Sequence, residues 1–223
     1  ELQLIAPVQM TLSQKEGALP EDPFSADPRL HLGFNAFSGS GDVTAEVVYV
    51  NYGTREDFMK LAEMGVPLAG KIAVARYGGN FRGYKAKYAE QYGMIGLVVY
   101  TDPKDSGITR GEVYPKGPFF NETTIQRGSM LTLDFTGDPL TPNRPALPLD
   151  GAKKIKRDDP ADVDFHTIPV TPIGYGAAKE ILSRMTGSEA PEAWQGGLPF
   201  KYRITGGTEL KVRVMVDQKP DFI

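Results

Sequence analysis

Residues 71–103, KIAVARYGGNFRGYKAKYAEQYGMIGLVVYTDP, constrain this chain more than any other stretch. Residues 72–75 are short and wholly apolar, as a strand buried on both faces should be. Tyr77-Gly78-Gly79-Asn80 interrupts that strand. Over residues 83–92, Tyr84, Ala86, Tyr88 and Ala89 recur at helical spacing, which leaves Lys85, Lys87 and Glu90 for the wet side. Gly93 is a helix stop, residues 95–100 read as a second buried strand, and Asp102-Pro103 reads as a turn. Two parallel strands joined by a helix make a right-handed crossover, and its first loop lies at the carboxyl end of the first strand. That loop, GGNFRG, is where function is to be expected.

The flanking chain extends the pattern. Residues 2–5 alternate as a first strand, and residues 43–50, VTAEVVYV, form a clear one. Thr54 and Asp57 stand at the positions of a capping box, ahead of a helix with Phe58, Leu61 and Ala62 on its apolar face and Gly65 and Pro67 at its end. Residues 168–173, IPVTPI, are extended and punctuated by proline, which suits a sheet edge. Ala177, Ala178, Ile181, Leu182 and Met185 mark another helix, closed by Gly187. Gly206-Gly207, between residues 201–205 and 209–216, reads as a hairpin turn, with Val212, Val214 and Val216 on the buried face. With 25 glycines and 18 prolines, and long connections over residues 11–41 and 101–148, the whole predicts a loop-rich α/β fold. The expectation is one domain over residues 1–223, a mixed sheet with two or three flanking helices.

Composition narrows the chemistry. No cysteine is present, which removes disulfides, thiolate zinc sites and cysteine nucleophiles. Only His31 and His166 could serve as histidine ligands, and a catalytic zinc takes about three protein ligands. Asp162, Asp164 and His166 can be drawn as a metal cluster, but a solvated acidic linker is the plainer reading. No Gly-x-Ser-x-Gly elbow occurs. A net charge of −3 gives no electrostatic reason to expect nucleic acid or an anionic membrane, and the basic run 153–157 is cancelled by the acidic residues that follow. No apolar run reaches membrane-spanning length, and a start at Glu1 favours an excised piece. Asn121-Glu122-Thr123 fits a glycosylation sequon and is treated as chance. GGNFRG lacks the Gly-x-Gly-x-x-Gly spacing and there is no P-loop, so a free-standing dinucleotide-binding protein is a poor reading.

Seven motifs in order carry a specific resemblance. They are VYVNYG (48–53), the EDF-x-K-L helix (56–61), GKI-x-x-ARYG-x-x-FRG-x-K (70–85), TDP (101–103), QRG (126–128), GDPLTP (137–142) and IPV-x-PIGY (168–175). Together they resemble the protease-associated, or apical, domain of glutamate carboxypeptidase II and its transferrin-receptor relatives. Residues 1–33 resemble it least.

The resemblance implies a domain inserted into a zinc-peptidase domain and covering its active site. The ligands of two zinc ions and the catalytic Glu would then lie on flanking segments, so this chain alone should not hydrolyse peptides. In the family, the Arg of FRG reaches the substrate's terminal carboxylate. Its match is Arg82, and a guanidinium fork suits a carboxylate. Read from the residues alone, pairing of Arg82 with a local carboxylate is the plainer reading; the resemblance reverses that order. The family's substrate-binding Asn after QRG is Ser129 here, a shorter group with fewer hydrogen bonds, which loosens the expectation of glutamate specificity. The family's interdomain calcium would correspond to Thr141 and the backbone carbonyl of Arg144, with carboxylates from the absent domain. The implied partners are the flanking peptidase domain and a peptide with a free C-terminal carboxylate. The isolated chain is expected to be a monomer, and the parent protein to lie outside the cytoplasm, in the periplasm, at the cell surface or secreted. The alternative within the same resemblance is a receptor-like interaction module without peptidase activity.

Overall fold

A computed structural model describes residues 1–219. In chain order the strands are β1 (Leu2–Ala6), β2 (Met10–Thr11), β3 (Asn35–Ala36), β4 (Gly41–Tyr49), β5 (Ile72–Arg76), β6 (Gly96–Tyr100), β7 (Gly128–Ser129), β8 (Gly137–Asp138), β9 (Thr141–Pro142), β10 (Val170–Ile173) and β11 (Lys211–Val216). The α-helices are α1 (Arg55–Glu63), α2 (Arg82–Gln91), α3 (Pro103–Ser106) and α4 (Tyr175–Leu182). Seven strands form one mixed sheet in the order β10-β6-β5-β4-β11-β1-β2. Strands β10, β6, β5 and β4 run parallel, and β4, β11, β1 and β2 pair antiparallel. This is the mixed α/β architecture the sequence predicts.

Strand β4 serves both halves. Its first six residues, Gly41–Glu46, pair with β11, and Val47, Val48 and Tyr49 pair with β5. Its burial changes at the same place, from alternation to three buried residues in a row. The change follows from cover: a parallel strand lies under crossover helices, whereas an antiparallel pair can leave one face wet. Every residue of β5, β6 and β10 is buried. Strand β10 is a sheet edge, as its proline requires, because Pro172 has no N–H to donate.

Helix α1 begins with the expected capping box: Asp57 N donates to Thr54 Oγ1 and Thr54 N to the Asp57 carboxylate. It packs on α2 through Phe58, which stacks on Tyr92 at 5.4 Å. The predicted hairpin at Gly206-Gly207 is not present. Residues 204–206 bond to Val47 and Tyr49 of β4, the chain bows out at Gly207 (φ +72°), and β11 then returns to the same edge of β4. Both segments lie along one edge because β4 is long enough to pair with each in turn, so neither pairs with the other.

Candidate functional site

The loop between β5 and α2 is built on backbone that only glycine adopts easily. Gly78 and Gly79 have φ of +102° and +76°, and a side chain on Gly79 would strike Tyr52. Arg76, at the end of β5, is 1% exposed and lies over the Tyr52 ring at 4.0 Å. It donates to Asn51 Oδ1, and Asn51 donates on to Asp57 at 2.8 Å. Tyr52 donates to Asp105 at 2.6 Å, and burial with that bond pushes the phenol up to about 12. The turn after β4, the loop after β5 and helix α3 after β6 are thereby joined at the carboxyl ends of the parallel strands.

Arg82 opens α2 at the rim of this loop. Its guanidinium lies 5.3 Å from the Phe81 ring and 5.8 Å from Tyr77, on the bare Cα of Gly128: a Cβ there would sit 2.3 Å from Nη1. The Gly128 strand is anchored by Asn35, whose amide donates to Gly128 O and to the Tyr77 hydroxyl, while Tyr77 donates to Gln126 O at 2.8 Å. Gly83 allows the second close approach, since a Cβ on it would meet Met130 O at 2.2 Å. The structure thus brings Arg82 and Ser129 together, but through the backbone: Nη1 reaches Ser129 O at 3.4 Å, and the Ser129 hydroxyl accepts from Leu131 N. Arg82 has no ion pair with a described carboxylate, and its Nε–H is without a partner. The local-carboxylate alternative for Arg82 is therefore not the arrangement found. Elsewhere a cavity of about 960 Å³ opens between loops that include His31, Phe34, Tyr114 and Phe119. Its guanidinium, Arg127, is already paired with Glu16 at 2.9 Å.

Thr141 and Arg144 also converge. Thr141, fully buried in β9, donates to Arg144 O at 3.0 Å just beyond that strand, while the Arg144 side chain is exposed. Two neutral oxygens already bonded to each other do not make a calcium site, which takes six to eight oxygens, roughly, and usually carboxylates. Among the described residues no group of three His, Cys, Asp or Glu side chains is placed to hold a metal.

Two residues are not where the sequence pattern puts them. His166 is buried instead of belonging to a solvated acidic linker. Its Nδ1 meets Glu90 Oε2 at 3.0 Å and its Nε2 meets Met130 O at 2.8 Å. Glu90 also accepts from Thr167 and Ile168, and although burial pushes its carboxyl up, these bonds hold it below its ordinary value. Lys85, expected on the wet side of α2, is fully buried, while Tyr84 is 40% exposed. The signal for this was the small-residue row Gly83, Ala86, Ala89: it lets α2 lie close on its neighbours and takes the adjacent Lys85 inside with it.

Against known proteins, residues 43–133 match the family model described as PA domain. The chain is 38% identical over 190 residues to the aminopeptidase NAALADL1 of Rattus norvegicus, covering 82% of this chain and 24% of that protein. It is 40% identical over 177 residues to the glutamate carboxypeptidase 2 homolog of Caenorhabditis elegans, covering 77% and 23%. A solved aminopeptidase from Aneurinibacillus sp. strain AM-1 aligns with 96% of this chain and 29% of its own at 16% identity, but with a TM-score of 0.41, too loose a fit to support residue correspondence. The chain carries a protease-associated (PA) domain. That domain is related to those of the glutamate carboxypeptidase and NAALADL1-type aminopeptidase family. The chain spans about a quarter of the length of these curated relatives.

Proposed function

We propose that this chain is the apical domain of a zinc exopeptidase, covering the active site of a peptidase domain and taking the substrate's C-terminal carboxylate on Arg82. What supports the reading is the state of Arg82: a guanidinium cradled by two rings and a glycine, with its Nε–H buried and unpartnered and no described carboxylate paired to it. In this reading the chain binds and orients, and zinc on the peptidase domain supplies the hydrolytic chemistry. Ser129 gives the pocket a shorter wall than an amide would, so the preferred C-terminal residue need not be glutamate. Thr141 and Arg144 O would join a shared calcium only with carboxylates from that other domain. The extracytoplasmic location belongs to the same proposal.

Arg82→Ala in the complete protein is expected to lower kcat/KM for peptides with a free C-terminus by about 10- to 100-fold, the worth of one to two charge-assisted hydrogen bonds. Arg82→Lys should be defective too, because an ammonium cannot offer the planar fork. An unchanged kcat/KM in Arg82→Ala would remove the clamp role. A receptor-like interaction module is the second reading, favoured by Ser129, whose hydroxyl oxygen is occupied by Leu131 N. Chelator-sensitive peptidase activity of the complete protein would exclude it.

A further inference from the structure

Lys85 lies three residues after Arg82 on the buried side of α2. Its Nζ meets Tyr52 O at 2.5 Å, Gly78 O at 2.7 Å and Asn80 Oδ1 at 2.7 Å. An ammonium has three N–H donors, and here each has one acceptor, none of them a carboxylate. Asn80 in turn donates to Gly53 O at 3.2 Å. Gly53, at φ +61°, gives Lys85 room: a Cβ there would lie 3.2 Å from the Lys85 Cβ. One side chain thereby ties the turn after β4 to the loop after β5, from inside the helix that the loop leads into.

The rest of α2's start makes that tie consequential. Helix α1 is fixed by its capping box, but α2 has Phe81 at its N-cap and no side-chain cap. The loop from Gly78 to Phe81 is held to the helix from below, by Lys85, and Arg82 is the first residue after it. We propose that Lys85 is the positioning residue for Arg82, fixing the loop and the first turn of α2 so that the guanidinium is held between Tyr77 and Phe81 and on Gly128. Around the ammonium, Asp57 of α1 and Asp105 of α3 favour the charge, while Arg76 and Arg82 oppose it. Burial is the largest influence, and the group is pushed down to about 7. A buried lysine without a carboxylate in contact is costly to a fold, and here its bonds run to the turn after β4 and to the loop that leads to Arg82.

The inference rests on the carboxylate-clamp reading. It is tested in the complete protein by comparing peptides that end in a free carboxylate with the same peptides amidated. Lys85→Met keeps the unbranched stem of the side chain, one atom shorter, and removes the three bonds. It is expected to raise KM for the carboxylate peptides by about 10-fold with kcat little changed, and to narrow the preference for carboxylate over amide, as a displaced orienting group does. Lys85→Arg, too large for the site, should not restore it. Asn80→Ala removes one of the three acceptors, should give a smaller rise of the same kind, and decides the matter if Lys85→Met does not fold. If Arg82→Ala narrows the preference and Lys85→Met and Asn80→Ala both leave it intact, Lys85 does not position Arg82. If Arg82→Ala itself leaves the preference intact, the clamp reading falls first.

Discussion

The parallel and antiparallel halves of the sheet share β4 and differ in where they keep their polar groups. In the parallel half the strands are buried throughout, and polar side chains gather inside, at the carboxyl ends: Arg76, Asn51, Lys85 and Asp102 are all buried. In the antiparallel half the strands alternate, and the charged pairs lie on the open face, as between Arg213 of β11 and Asp42 of β4. The first arrangement fixes three consecutive loops against one another and so gives a rim on which Arg82 is held without a carboxylate partner among the described residues. The second closes the sheet and asks little of its side chains beyond Val212 and Val214 in the core. Interior polar bonds at strand ends shape a site, whereas surface pairs along strands only decorate a pairing that the backbone already makes.

The largest test of this contrast is Asp102→Ala. Asp102, fully buried at the end of β6, accepts from the Tyr202 and Tyr100 hydroxyls, from Lys104 N at 2.9 Å and from Gly197 N at 2.7 Å. Burial raises both phenols, with the nearby Asp102 charge adding to it, so both stay protonated and donate. Removing the carboxylate takes the acceptor from two buried phenols and two partly buried amides, and a loss of about 3–5 kcal/mol is expected in urea unfolding of the chain. A loss below about 1 kcal/mol would mean that the interior network does not carry the parallel half.

Gly83→Ala should come next. A Cβ at that position falls 2.2 Å from Met130 O and 2.6 Å from Thr132 Cγ2, and the first of these is backbone. Overpacking of this kind costs about 1–3 kcal/mol, more than the helix gains from alanine near its first turn. The same substitution separates α2 from β7, so if the proposed clamp holds, the carboxylate-over-amide preference it would give the complete protein should narrow along with the stability. Stability lost with the preference intact would detach the rim from the packing beneath it.

How far the sequence reveals this division depends on the kind of contact. Strands β5 and β6, the capping box of α1 and the edge position of β10 are legible because local pattern and tertiary need agree in each. Arg82 and Ser129 are legible as neighbours only through the motifs, since 47 residues separate them and their contact runs through a backbone carbonyl. Lys85 and His166 are misplaced by pattern for a common reason. Polarity says outside, yet each finds partners within the fold, at least one of them on a segment distant in sequence: Tyr52 O for Lys85, Met130 O for His166. Glycines mislead in the same way at Gly206-Gly207, where the turn chemistry is present but β4 offers both flanking segments a better partner than each other.

The smallest effect is expected on the antiparallel side, from Arg213→Ala. Arg213 holds Asp42 with a planar fork, Nε to Oδ1 at 2.7 Å and Nη2 to Oδ2 at 2.5 Å, across the β11–β4 pair. Both groups face solvent, so water and salt screen the attraction, and the Tm should shift far less than in Asp102→Ala. The hydrogen bond from Arg213 keeps the Asp42 carboxyl below its ordinary 3.8 despite the opposing pull of desolvation. A carboxyl lowered by folding contributes stability that is present above the unfolded value and is lost as pH falls through the lowered one. The Tm difference between wild type and Arg213→Ala should therefore be constant from neutral pH down to about 4 and shrink as pH falls through the lowered value. It should also shrink at neutral pH in molar salt, where the screening length is about 3 Å. A salt-independent loss as large as that of Asp102→Ala would show the antiparallel half to depend on its side chains as heavily as the parallel half does, and the contrast between them would fail.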